Sequence, residues 1–297
     1  ERLSAFDGMI HPGIPTGEKY LSLVHSSDHI NKVKEYGRQS IPLDPDTHTS
    51  PGSFTAACAA VGAAILAAEQ QDFSLGRPPG HHAYPSRATG FCLFNTIAIA
   101  TQHLLNHGKK VMILDIDGHL GDGTSAIFYG SKEVLFCSLH QYPAFPGTGW
   151  VDEIGSGEGL GYTINLPLPP GAADDIFLSA LKFIAPVMRS FDPDVIAVSA
   201  GFDGHQHDPL LQLNYSLEGY HKSGSWLLNS GYNVFAVLEG GYNLSVLPKA
   251  IDQFQRGVNG MISTEEETTT LSEETTRKTF DRNLNQLFEQ IKGFWDL

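Results

Sequence analysis

Cysteine is scarce in this chain: Cys58, Cys92 and Cys137 are the only three, scattered and odd in number. Neither a disulfide framework nor a C-x-x-C metal knuckle follows from them, and a reducing, cytoplasmic compartment is expected. Basic residues are also in deficit, 19 Lys and Arg against 33 Asp and Glu, for a net charge of -14. Such a surface repels phosphates, so direct nucleic-acid binding is not expected, whereas a basic peptide or a polyamine would suit it. Apolar runs stop short of the ~20 residues that span a bilayer, and no signal peptide is visible, so no membrane partner is expected. Internal repeats are absent, and nothing sets an oligomeric state.

What is present is ordinary for one globular α/β domain over 1–297: 41% hydrophobic and 18% charged residues. Helical patterns cover Ser53 to Gln70, Asn95 to His107 (Asn95 as N-cap, Gly108 as stop), Ala173 to Phe191 and Ser216 to Ser230. Between them lie short apolar runs that read as strands: Lys110 to Asp115, Glu133 to Leu139, Asp194 to Ser199 and Asn233 to Leu238. They are apolar throughout, as in strands covered on both faces. The fold class predicted is a three-layer α/β/α sandwich with a central, mostly parallel sheet. An acidic, Thr-rich segment near 263–276 reads as a loose, solvated linker. A helix over 279–295 follows, with Phe280, Leu284, Leu287, Ile291 and Phe294 as the stripe that docks it on the core.

Polar residues collect where strands end. One strand leads into Asp117-Gly118-His119, others into His140, Asp203 and Glu239-Gly240-Gly241-Tyr242. In a parallel sheet all carboxyl ends lie along one edge, and ligands bind there. Alternate residues leaving a strand face the same way, so Asp117 and His119 can share an ion with Asp203, while Asp115 supports them from behind. Two carboxylates and an imidazole leave coordination open for water and a substrate oxygen; Zn2+ fits, and Fe2+ also suits the set. An EF-hand fails on spacing, and Gly121-Asp122-Gly123-Thr124 lacks the Lys of a phosphate loop and reads as a tight turn. His81 and His82 follow the stiff Arg77-Pro78-Pro79-Gly80, and Asp115 and Asp122 supply one carboxylate for each ring. Tyr242, after two glycines, can donate a hydrogen bond to a developing oxyanion. Each motif alone has a bland structural explanation; their convergence on one sheet edge does not.

Together these blocks resemble the histone deacetylase superfamily, which includes acetylpolyamine amidohydrolases and acetoin-utilisation proteins. The resemblance is carried by RPPGHHAYP (Arg77 to Pro85), GFCLFN (Gly90 to Asn95), DIDGHLGDGT (Asp115 to Thr124), FPGTG (Phe145 to Gly149), SAGFDGHQHDPL (Ser199 to Leu210) and LEGGYNL (Leu238 to Leu244), in family order. It implies an arginase-like α/β fold and a zinc hydrolase that removes acyl groups from lysine or related amines, with a structural monovalent cation such as K+ as a further expectation. By motif, Asp117, His119 and Asp203 would hold the metal. His81, His82, Asp115, Asp122 and Tyr242 would be catalytic. Gly90, Phe91, Phe145 and Leu210 would line the substrate tunnel, with Asp46 at its rim. Leu120 stands where the family commonly has a second His, and the family's first motif survives only as Glu1-Arg2-Leu3, so its first strand is expected upstream. His205 and His207 read as rim residues.

Two aspartates already neutralise a divalent ion, so the bound water is acidified less than at an all-histidine site, and an auxiliary base is useful. The histidine pair supplies it, with His82 favoured as the main acid–base group. The expected substrate is an acylated lysine in a peptide or protein. The rivals are an acylated small amine, which Leu210 at the mouth disfavours, and a silent acyl-binding protein, which the intact Tyr242 and ligand set disfavour.

Overall fold

The structure, a computed structural model, describes residues 16–296; the Glu1-Arg2-Leu3 motif lies outside the described residues. Six strands form one sheet: β1 (Phe73–Ser74), β2 (Val111–Asp115), β3 (Val134–Gln141), β4 (Thr163–Leu168), β5 (Val195–Ala200) and β6 (Asn233–Leu238). Their order is β1-β6-β5-β2-β3-β4, and every pairing is parallel.

The strands are apolar on both faces because both faces are covered. Val111 and Ile113 of β2 join one cluster with Val61, Ile65, Ile97 and Leu104 of α2 (Ser53–Gln70) and α3 (Thr96–Asn106). Met112 and Leu114 face the opposite cluster, with Phe177 and Ile184 of α5 (Asp174–Phe191), Leu227 of α6 (Leu217–Ser230) and Phe254 of α7 (Leu247–Val258). The period-2 alternation of a strand thus divides between two cores. α2 is long and apolar enough by itself to cross a bilayer, yet it buries its Val61 and Ile65 against α3 and the sheet.

Local signals explain the helix starts. The Asn95 carboxamide accepts the Ala98 N–H at 3.0 Å, and the Ser216 hydroxyl accepts that of Gly219 at 3.1 Å. Other elements were not foreseen: α1 (Ser27–Gln39), α4 (Asp122–Phe128), α7, β1 and β4. Gly121-Asp122-Gly123-Thr124 is the start of α4 rather than a tight turn alone. β4 hides because Pro167 interrupts its apolar run, which an edge strand tolerates.

The acidic segment is not loose. Thr264 accepts from Gln253, Glu267 from His205 and the Leu217 N–H, Thr270 from the Asp174 N–H, and Ser272 from the Ala173 N–H. These bonds strap it across the N-terminal ends of α5 and α6. The last helix, α8, starts at Glu274 and runs to Ile291, five residues earlier than the apolar stripe suggested. Phe280, Leu287 and Ile291 are buried in the core, each contributing about 1.5–3 kcal/mol. Leu284 is partly covered and Phe294 is half exposed.

Candidate metal centre and active site

The chain runs from β2 to β3 and β4 on one side, then returns to lay β5 against the other flank of β2. The switch point therefore falls between the ends of β2 and β5, where an α/β sheet opens a crevice. β2 delivers Asp115, Asp117 and His119 there, and β5 delivers Asp203. One donor atom from each of Asp117, His119 and Asp203 lies within 4.8 Å of the others, and this is the only such group among the described residues.

Each carboxylate is held by backbone donors. Oδ2 of Asp117 accepts the Gly240 N–H at 2.7 Å, and Oδ1 of Asp203 accepts the Gly118 N–H at 2.8 Å. The other oxygens, Asp117 Oδ1 and Asp203 Oδ2, lie 3.3 and 2.9 Å from Nδ1 of His119. Gly240 is required at its position: a Cβ there would fall 2.3 Å from Asp203 Oδ2 and 2.5 Å from Asp117 Oδ2.

Three nearly fully buried aspartates around one point demand positive charge. Burial opposes protonation of His119, but the Asp203 and Asp117 carboxylates outweigh it and lift the imidazole to about 10. Burial and the Asp117 charge raise Asp203. The space between His119 Nδ1 and the two carboxylate oxygens marks the place a divalent cation would fill. Oxygen and imidazole donors with backbone-fixed orientation fit such an ion.

The histidine pair stands alongside. Nδ1 of His81 donates to Oδ2 of Asp115 at 3.0 Å, and Nδ1 of His82 to Oδ1 of Asp122 at 2.7 Å. The ring centroids are 4.0 Å apart, and Nε2 of His81 is 3.9 Å from Asp117 Oδ1. The surroundings push the two apart. Burial works against the charge on His81, but Asp115, Asp117 and Glu239 overcome it and raise the ring well above its ordinary value. Burial and the His81 charge pull His82 down to about 4. Asp115 is raised by burial to about 6, against the pull of His81.

Aromatic rings flank the approach. Phe145 lies edge-on to His82 at 5.0 Å and to His119 at 6.5 Å, while Phe91 meets Tyr242 at 5.9 Å. Phe91, Phe145 and Leu210 are 43–45% exposed, so they lie at the surface rather than in the core. Phe91 and Gly90 both have positive φ, at 67° and 55°, and a Cβ on Gly90 would strike the His82 ring at 2.5 Å. Asp46 lies on an exposed turn, its N–H bound to Asp44 Oδ1; the next residue, buried Thr47, accepts the Phe91 N–H at 3.1 Å.

One sequence expectation moves. His205 is not a rim residue: it is buried and bonds Glu267 of the strap at 3.1 Å, and only His207 is exposed. His140 stays outside the metal cluster, its nitrogens 3.0 Å from Ser138 Oγ and from the Gly149 carbonyl. Leu120 is buried in the apolar cluster on the α2–α3 side and leaves the triad untouched.

Other supports went unseen in the sequence. Tyr84 donates its phenol to Oδ2 of Asp122 at 2.9 Å. Oδ2 of Asp208 accepts the N–H groups of Tyr242 and Asn243 at 2.6 and 3.2 Å, which fixes the tyrosine turn. An Asp directly before Pro209 is a turn signal that could have flagged it.

Residues 4–258 match the family described as histone deacetylase domain. A probable deacetylase of Methanothermobacter thermautotrophicus is 44% identical over 262 residues, 84% of this chain and 79% of that protein. The chloroplastic histone deacetylase 10 of Oryza sativa subsp. japonica is 36% identical over 87% of this chain, which spans 65% of its length. Among solved structures, the HDA15 HD domain superposes with a TM-score of 0.86 at 32% identity, over 96% of this chain and 81% of that one. With a domain match over most of its length and relatives at this identity, the chain belongs to the histone deacetylase family, hydrolases that act on acetylated amides.

Proposed function

We propose that the protein is a zinc-dependent deacylase acting on N-ε-acetyl-lysine in peptides or proteins. The observation that carries this is the Asp117–His119–Asp203 cluster, its two aspartates buried, set beside two histidines of opposed proton affinity. A divalent ion bound by those three residues would polarise the amide carbonyl and acidify a water. Oxygen and imidazole donors suit Zn2+, with Fe2+ as the second choice.

The chain's own groups supply the rest. His82 donates Nδ1–H to Asp122, so its Nε2 is free of that bond and, with the ring neutral near pH 7, takes the proton from the attacking water. His81 stays charged against Asp115 and provides the positive field beside it. Environments that drive paired groups apart assign acid and base in this way. The proton returns from the pair to the leaving amine. Tyr242, its backbone held by Asp208, donates to the developing oxyanion. Phe91 and Phe145 flank the alkyl stem, and Leu210 gives the mouth an apolar lip where a polyamine-selective site would want acid.

The test is turnover of an acetyl-lysine peptide against acetylspermidine, with metal-stripped and with zinc- or iron(II)-reloaded protein. Activity restored by zinc and tenfold or more in favour of the peptide is expected. Preference for acetylspermidine would move the assignment to small amines, and zinc uptake without turnover of either would end it.

A further inference from the structure

One buried acid has no part in the mechanism above. Glu239 directly follows β6 with its side chain fully buried, and its Oε2 accepts two successive backbone N–H groups, Gly80 at 2.7 Å and His81 at 3.1 Å. Those donors belong to a loop 158 residues earlier in the chain. The next residue, Gly240, gives its N–H to the Asp117 carboxylate at 2.7 Å, and Tyr242 follows two positions later. A single strand end thus grips the histidine loop by its side chain, a metal ligand by its backbone, and carries the oxyanion donor.

A carboxylate is costly to bury, and core filling alone would be met better by an apolar residue. What the acid offers is one acceptor oxygen of fixed reach that takes both N–H groups. We propose that Glu239 is a positioning residue that sets the His81–His82 loop at a fixed distance from the Tyr242 turn, so that base and oxyanion donor address the same carbonyl. This rests on the proton-handling role given to the histidine pair. Displacement of catalytic groups by about 1 Å can cost ~10²-fold in rate.

Two conservative variants separate reach from charge. Glu239→Gln keeps the reach and an acceptor oxygen, and Glu239→Asp keeps the charge but withdraws the oxygen by one methylene. Steady-state kinetics on an acetyl-lysine peptide with zinc-loaded protein should show kcat falling about 10²-fold in Glu239→Asp and less than tenfold in Glu239→Gln. KM and zinc affinity should stay within about threefold in both, and amide exchange at Gly80 and His81 should quicken only in Glu239→Asp. Equal kcat in the two variants, at wild-type level or reduced alike, overturns the proposal, as does loss of zinc affinity in step with kcat. His82→Ala runs in parallel. Its unchanged turnover would sink the role of the histidine pair, while the Asp-against-Gln difference in amide exchange would still decide whether Glu239 sets the loop.

Discussion

His82 and Asp122 form the shortest of the site's imidazole–carboxylate contacts, Nδ1 to Oδ1 at 2.7 Å, and the second oxygen of Asp122 is occupied by the Tyr84 phenol. That leaves one tautomer for His82, with Nε2 bare. Asp122→Asn keeps the shape but can offer an N–H to the ring and favour the wrong tautomer. We expect kcat/KM on an acetyl-lysine peptide to fall by about 10² or more. Tyr84→Phe, which removes only the outer bond, should cost roughly tenfold or less. A smaller loss in Asp122→Asn than in Tyr84→Phe would contradict this ordering.

Gly240→Ala tests the backbone grip on the metal centre. The added methyl would enter the space of the Asp117 and Asp203 carboxylate oxygens. Losing oriented partners of metal ligands typically costs 10–100-fold in affinity. Competition titration with a zinc chelator should show a drop of that order. Unaltered zinc affinity would mean the turn has slack that the distances deny.

Leu120 fills an apolar position, 2% exposed. Leu120→Ala should therefore lower stability by about 2–5 kcal/mol, the range for a buried leucine that leaves a cavity. Denaturant unfolding measures the cost, and zinc affinity should hold. If stability stays and zinc affinity falls, the side chain belongs to the metal centre instead.

His25 predicts an acid limit. Its Nε2 accepts the Asn95 N–H at 2.8 Å, and its Nδ1–H donates to the Tyr84 carbonyl at 3.0 Å, so the ring must be neutral. Burial, then the neighbouring His29, pull it down to about 3. The unfolded chain would take up that proton near 6.5. Between the two values the unfolded state binds the extra proton, so stability is full above pH 6.5 and falls as pH drops below it. The slope from one proton is at most about 1.4 kcal/mol per pH unit. His25→Gln should flatten the decline in Tm between pH 6.5 and 4.5; an unchanged slope would assign the acid sensitivity elsewhere.

Much of this architecture is legible in the residues because strand ends in a parallel sheet must converge. Three of the four apolar runs placed Asp117, His119, Asp203 and Tyr242 along one edge, and α2 follows its Ala-rich pattern from Ser53 to Gln70. What stayed hidden depends on tertiary contact. Glu239 and Asp208 act through hydrogen bonds to backbone from other segments, which no local pattern encodes. His205 sits in a motif rich in turn residues, but its partner Glu267 arrives from a segment whose composition alone looked like a loose, solvated linker. Composition described the strap's surface and missed its spaced acceptors.

α8 and the strap before it lie beyond residue 258, where the family match ends. Yet this helix lies against β4, an edge strand, with Asn283 donating to the Pro167 carbonyl at 3.1 Å, and just beyond it the Trp295 indole donates to the Gly161 carbonyl, before β4, at 2.8 Å. Trimming the chain at the family boundary would uncover the β4 edge, and an uncovered edge strand is a template for pairing with another molecule. The segment beyond the family match is what gives this edge of the sheet a finished side, and a shortened version would be prone to stack.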